Sequence, residues 1–356
     1  MKKLLPLLAL LIGLAFVGRT MLAPKNTTAF DTVGFGRLPV LANGRVKPLD
    51  TIARSSLLQL QGRQRVSTPE RSEPIVGSPT EWLLDVAFRP DLADTYPTFA
   101  IDNPELLSLL GKNEDALRIN YPDVTKKILA IVGFLPSSHR RFSFNDIKPY
   151  FRQLDEQAKL ANPVESAVRT PFQRAVLQLY GNLIHYQRLR HTFILPGRDD
   201  FLGDLLQFQD KLAAGVAAVR AKQAGQAADD ATVSAMTDMG ERFIAMSEAT
   251  NILAIPPDTD DPTAWQSTGA ALLATFQRGS VNPHALAYAG LARAWRSQQS
   301  EQFNKLLELF RADLVKRFAP QLEKSSAESR FNAAEPFYSS TRQSATAAQP
   351  MNSADE

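Results

Sequence analysis

The sequence predicts a mainly α fold: a helical assembly with a small N-terminal β-hairpin, preceded by one membrane anchor or signal helix. Three observations predict it. Beyond Pro79, apolar residues recur every three or four positions over most of the chain, the period of an amphipathic helix. Asn43-Gly44 lies between two short extended stretches, and this dipeptide accepts positive φ at both turn positions. Lys2 and Lys3 precede an apolar run from Leu4 to Val17.

Cationic residues followed by an apolar run are the layout of a signal sequence, and Arg19 ends the run. Cleavage after Ala23 would place Met21 where a small residue is preferred, with Pro24 after the cut. An uncleaved signal anchor is therefore favoured over a cleaved signal peptide. A helix from Leu4 to Gly18 is roughly 22 Å long, against a hydrocarbon core of about 30 Å. Met21 and Leu22 extend it while Arg19 snorkels. Either way Lys2 and Lys3 stay inside. The bulk of the chain then lies on the extracytoplasmic (periplasmic) side of the cytoplasmic membrane.

After the polar connection Thr27 to Thr32, Phe35 to Lys47 reads as a hairpin. Leu38-Pro39-Val40 faces Arg45-Val46, and Pro39 suits an edge strand. Asp50 is placed as the cap of a helix from Thr51 to Leu60, with Ile52, Leu57 and Leu60 buried. Arg63 to Ser78 is polar and turn-rich, a loop. A helix follows from Pro79 to Phe88. Asn103 caps the next, with Pro104 at its first position, Leu106, Leu107 and Leu110 inside, and Gly111 closing it. Phe142-Ser143-Phe144 is extended, and a helix from Asn145 carries Ile147, Tyr150, Phe151 and Leu154.

Glu165 to His191, Phe201 to Ala221 and Met236 to Ser247 are helical, with a loop at Ala224 to Thr232. Ile255 to Thr263 is rich in proline and aspartate and makes a connection. Ala264 to Phe276, Pro283 to Arg296 and Glu301 to Phe318 are helical, and the last two form a hairpin. That hairpin is faintly similar to a tetratricopeptide unit, but no second copy follows at a fixed period. The organisation is thus a signal region at 1–23 and an extracytoplasmic helical domain at 30–255. A C-terminal helical hairpin region follows at 262–320, and a Ser-, Ala- and Gln-rich disordered tail at 339–356.

With 44% hydrophobic and 22% charged residues, the chain can bury a core. A net charge of +3 is too weak to argue for nucleic-acid binding. The chain has no cysteine, which excludes disulfides, thiolate metal sites and cysteine nucleophiles. Its four histidines, His139, His185, His191 and His284, form no HExxH motif. His185 and His191 share a helix but, at about 100° per residue, face different sides. All four are read as surface or helix-end histidines. No GxSxG motif or phosphate-cradling glycine loop occurs. No catalytic residue and no metal ligand is assigned.

The segment Gly44 to Arg54 is dense in charge, and Arg37 is close by. Arg37, Arg45, Lys47 and Arg54, with Asp50 among them, are the candidate contacts for an anion or a partner. Guanidinium forks match carboxylates and phosphates, so lipid head groups or haem propionates are suitable ligands. The preferred alternative is structural: a turn, a helix cap, and cations that pair locally or face water.

That segment also carries a resemblance. Leu38-Pro39-Val40 followed by Gly44-Arg45-Val46-Lys47-Pro48-Leu49-Asp50-Thr51-Ile52-Ala53-Arg54 resembles the block that opens the extracytoplasmic region of bacterial CcsA/ResC-type cytochrome c biogenesis proteins. Pro79-Thr80-Glu81-Trp82-Leu83-Leu84, Ile101-Asp102-Asn103-Pro104-Glu105-Leu106 and Arg141-Phe142-Ser143-Phe144 are similar to later blocks of that family. So are Phe303-Asn304-Lys305-Leu306-Leu307, Glu328-Ser329-Arg330-Phe331-Asn332 and Pro336-Phe337-Tyr338. The match covers about Phe35 to Tyr338, with its blocks in order.

The resemblance implies system II cytochrome c maturation, in which haem is ligated to apocytochrome c on the outer face of the membrane. In the family, haem is handled by a tryptophan-rich WWD segment and histidines of a multi-helix membrane domain. Here Trp82, Trp265 and Trp295 are scattered, and the sequence turns polar after Tyr338. No haem ligand is carried over to this chain. Haem enters only through a complex, with the membrane domain supplied by another polypeptide or missing by truncation.

Three functions compete. The first is an extracytoplasmic scaffold for a CcsA/ResC-like membrane protein with a WWD segment, working with a ResB/CcsB-like protein and apocytochrome c, and not itself an enzyme. The second is a membrane-anchored helical peptide-binding adaptor unrelated to haem. The third, an envelope hydrolase, ranks last because no acid–base constellation is legible.

Overall fold

The computed structural model describes residues 25–333 except 69–73, 113–116, 122, 133–137, 139, 199, 259–260 and 262. The expected signal region at 1–23, the expected disordered tail at 339–356, His139 and Pro336-Phe337-Tyr338 lie outside the described residues. The fold is mainly helical, with a small antiparallel sheet near the N-terminus.

Asp31 caps a short helix, α1 (Thr32–Gly36), by accepting from the Gly34 N–H. Strands β1 (Pro39–Ala42) and β2 (Arg45–Pro48) then pair around Asn43 (φ 54) and Gly44 (φ 71). Both turn residues hold the positive φ that a two-residue hairpin requires. Pro39 is not on an edge strand, however. β5 (Ile252–Leu253) pairs with Ala42 and Leu41, giving the order β2-β1-β5 with β1 central. Pro39 is tolerated because β5 stops at Leu41, so no partner strand needs its missing N–H.

Helix α2 (Leu49–Gln61) begins before the expected Thr51, and Asp50 is not its cap. Pro48 occupies the cap position in extended conformation and offers no side-chain bond. Asp50 falls instead within the first turn, where a carboxylate suits the helix dipole. Ile52, Leu57 and Leu60 are buried as expected, and Gly62 (φ 69) ends the helix. The Arg63 to Ser78 stretch holds only an isolated bridge between Ser67 and Pro74 among its described residues.

Helix α3 (Pro79–Phe88) matches its predicted span, with Ser78 accepting from the Glu81 N–H. Every residue from Thr80 to Phe88 is buried. A helix enclosed on all sides is a central one. The elements packed on it are α1, α2, α4 (Pro90–Ala93), α9 (Pro171–Arg190) and α14 (Pro283–Arg296).

A second ribbon pairs β3 (Phe99–Ala100) with β4 (Arg141–Phe142). Between them lie α5 (Pro104–Leu109), capped by Asn103 and followed by Gly111 (φ 64), and the exposed α6 (Val124–Ile131). Phe142 and Ser143 are extended as expected, but Phe144 is not: Ser143 forms a capping box with Asp146 and opens α7 (Phe144–Ile147). Pro149 sits in a 3-10 turn at Lys148–Tyr150, so the predicted single helix is broken before α8 (Phe151–Ala161). Likewise α9 begins at Pro171, not Glu165, because Thr170 and Gln173 make a capping box around a proline at the first position.

Helices α10 (Phe201–Gln223) and α11 (Asp230–Ala249) follow. The latter starts earlier than predicted because Asp229 caps it through the Thr232 N–H. Ser267 delays the next start to α12 (Thr268–Leu273), and α13 (Thr275–Arg278) completes that turn. Helix α14 matches its predicted span and pairs with α15 (Ser300–Ala333) as a hairpin. Helix α15 does not stop at Phe318. It kinks there (φ −128, ψ 30), two residues before Pro320 breaks the hydrogen-bond ladder, and continues to Ala333.

One buried apolar cluster runs from Phe30 to Phe318. Its centre is a relay of aromatic rings: Phe30, Phe35, Phe88, Phe193, Tyr288 and Phe303, with centroid separations from 4.6 to 6.1 Å. No helix among the described residues is long and apolar enough to cross a membrane.

Candidate functional site

The hairpin, the start of α2 and the far end of α15 meet in one polar network. Arg45 Nη2 lies 2.9 Å from Glu328 Oε1, and Thr51 Oγ1 donates to the same oxygen at 2.7 Å. Asn332 Nδ2 donates to Thr51 Oγ1 at 2.8 Å and to Asp50 Oδ2 at 3.3 Å. Asp50 pairs with Arg54 Nε at 3.0 Å, and Arg54 Nη1 donates to Gln64 Oε1 at 2.7 Å. Asp50 and Arg54 are mostly buried, whereas Arg45 is half exposed. Three of the five candidate residues are thus committed to internal partners. Lys47, half-buried on β2, makes no hydrogen bond or ion pair among the described residues.

Arg37 differs from these. Its backbone N–H closes α1 on the Gly34 and Phe35 carbonyls, which fixes where its side chain leaves the chain. The side chain is half-buried and its Nε is enclosed without an acceptor. Burial lowers the Arg37 pKa, repulsion from Arg311 lowers it further, Asp31 opposes, and Arg330 adds to the lowering. Arg311 and Arg330 both stand on α15. Arg311 Nε is likewise enclosed without an acceptor. A cavity of about 540 Å³ is lined by Arg311, but not by Arg37 or Arg330, together with Asp31, Asn304, Glu308, Val315 and Leu322. The sequence singled out Arg37 but not Arg311 or Arg330, since only tertiary packing brings these to it.

Two other clefts escaped the sequence reading. One, of about 790 Å³, is lined by Gln61, Asp102, Asn103, Arg140, Arg141 and Arg174. Arg140 Nη1 donates to the Asp102 carbonyl at 2.8 Å, and Arg141 Nη2 to the Gln61 carbonyl at 3.1 Å. The other, about 460 Å³, is more apolar and includes Phe144, Phe151, Leu154, Tyr180, Ile184 and His191.

Of the described histidines, His185 departs from the expected surface or helix-end position. His284 is buried, its Nε2 3.1 Å from Asp313 Oδ2. His185 is half-buried in mid-helix, 2.8 Å from Ser56 Oγ. Among the described histidines, His191, at the end of α9 with Nδ1 on the Gln187 carbonyl at 2.8 Å, and His284, in the first turn of α14, sit at helix ends as expected. Among the described residues, no group of three His, Cys, Asp or Glu is placed to hold a metal ion. Arg45 and Arg54 are already paired, and no histidine lines the cavity beside Arg311.

These features define a mainly α protein whose N-terminal hairpin is stitched to α15, with a cavity along α15 lined by Asp31, Glu308 and Arg311. No protein-family model and no curated protein matches the sequence.

Proposed function

We propose that this chain is an extracytoplasmic component of cytochrome c maturation. It acts as a scaffold, not an enzyme, on the periplasmic side of the cytoplasmic membrane. It docks on a CcsA-like membrane protein carrying a WWD segment, beside a ResB/CcsB-like protein, and supports haem delivery and ligation to apocytochrome c. Haem is handled by the complex.

One observation supports this reading most directly. Three of the blocks that carry the family resemblance pack against one another although they are far apart in sequence. The 38–54 block meets the 328–332 block through Arg45, Asp50 and Thr51, and α2 packs on α3, which holds the 79–84 block.

The test is a haem stain of denatured envelope proteins from a strain lacking the gene. Denaturation strips non-covalent haem, so only thioether-linked cytochrome c is seen. Loss of the bands while apocytochromes are still made, with co-purification of a WWD-containing partner, is the expected result. Unchanged bands would sink it. They would favour the second reading, a peptide-binding adaptor using the cleft lined by Arg140, Arg141 and Arg174.

A further inference from the structure

Five of the fourteen large apolar side chains exposed among the described residues fall within the short stretch from Val124 to Val132. They belong to α6 and its cap, and no residue of this eight-residue helix is buried. Isolated helices this short are marginal in water, and most helices in proteins are held by packing an amphipathic face. Asp123 helps by accepting from the Thr125 N–H at 2.9 Å. The apolar side chains nevertheless stay in water: Val124, Ile128, Ile131 and Val132 are 55 to 85% exposed, and Leu129 is 37% exposed. Single exposed apolar residues need no explanation, but a contiguous face does.

At about 100° per residue, these five side chains fill one sector roughly 160° wide, with Thr125 its one polar member. Lys127 lies about 40° beyond one edge of the sector, and Lys126 about 60° beyond the other. Ala130, the least exposed residue of the helix, points the opposite way, so the sector is turned away from the body of the protein. Neither lysine makes a hydrogen bond or ion pair among the described residues, and the helix has no carboxylate of its own.

We propose that α6 lies in the surface of an anionic lipid bilayer, with its apolar sector in the acyl boundary and both lysines on the head-group phosphates. An apolar sector with a cation on each flank suits that plane. The aliphatic lysine stems cross the apolar layer, and the ammonium groups reach the head groups. A protein partner fits less well. A stable interface takes about 800 Å² and 20–30 residues from each side, whereas this face offers five side chains. A second copy docked here would also set its lysines against those of the first. A bilayer demands no shape complementarity and gains from every aliphatic group it covers. This goes beyond the scaffold reading and does not rest on it.

The chain has no cysteine, so a single introduced one can carry a label. Full-length Ile131→Cys, in the apolar sector, and Asp238→Cys, exposed on α11, are each labelled with the environment-sensitive fluorophore NBD. Each is mixed with phosphatidylcholine vesicles, with or without phosphatidylglycerol. The label reports its own surroundings, so attachment through the N-terminal apolar run alone does not mimic the effect. On phosphatidylglycerol vesicles the label at 131 should shift to the blue and be quenched by brominated acyl chains, and the label at 238 should do neither. Adding Lys126→Gln or Lys127→Gln to the 131 protein should cut the ratio of inserted to free label about fivefold each. Ile128→Ser should cut it about tenfold. All the substituted side chains are exposed, so the core is untouched. A blue shift that grows with protein concentration without vesicles would put a second copy on this face and overturn the proposal. So would equal behaviour of the two labels, or insertion indifferent to phosphatidylglycerol and to both lysines.

Discussion

His185, His191 and His284 all have their pKa lowered, in each case chiefly by burial. For His284 the Asp313 carboxylate offsets part of that effect. A depressed histidine pKa means that the unfolded chain binds the proton more readily. The stability involved is present above the ordinary value of 6.5 and is lost as pH falls through the folded value. Acidification from pH 7 to 5 should therefore lower the unfolding temperature, and His185→Gln should flatten that loss. Asp85 behaves oppositely. Burial raises its pKa, while hydrogen bonds from Trp295 and Tyr96 and the charge of Arg89 oppose the rise. Ionising it costs stability as pH climbs from 3.8 through the raised value, so Asp85→Asn should gain on the wild type across that window. Asp85→Leu should do worse. It orphans the Trp295 N–H (2.9 Å) and the Tyr96 O–H (2.8 Å), both buried. The cost is about 2–4 kcal/mol, readable by urea unfolding.

At the level of elements, legibility followed the chemistry of helix starts. Pro79, Pro104 and Pro283 follow Ser78, Asn103 and Asn282, and each such pair is a cap plus a proline at the first position. The same pair at Thr170-Pro171 was overlooked because the apolar period runs on through Val168, which proves exposed. Asp50 failed as a cap because Pro48 had already set the chain's entry. The helix expected to end at Phe318 continues because burial of Phe318 and Leu322 carries α15 across Pro320 as a kink. Gly269 was not legible at all. A Cβ there would lie 2.4 Å from the Ser247 nitrogen and 2.6 Å from the Phe243 carbonyl oxygen, so α12 rests directly on the backbone of α11. Backbone cannot swing aside as a side chain can. Gly269→Ala should cost about 1–3 kcal/mol or more, measured as a shift in the denaturation midpoint.

Across the whole molecule, the fold class and the hairpin were visible because each depends on neighbours in sequence. The seam between hairpin and α15 was not, because Arg45 and Glu328 meet only after the chain has folded. The seam is also more than one ion pair. Arg45 is half exposed, so a double-mutant cycle of Arg45→Ala with Glu328→Ala should give a coupling of about 1 kcal/mol or less. Glu328→Ala alone should cost more than Arg45→Ala alone, since it also leaves the Thr51 hydroxyl without its acceptor.

The same seam changes what it means to cut this chain. Everything after the Pro256-Pro257 connection is held by everything before it. Helix α14 lies on α3 and α10, α12 on α11, and α15 on the hairpin and α2. Asn304 also bonds the Asp31 N–H and the Ala29 carbonyl. A protease site introduced after Pro257 should therefore yield a nicked protein whose halves elute together from a sizing column and separate only in denaturant. The covalent thread at that point is dispensable, and two halves made separately should find each other and rebuild the whole.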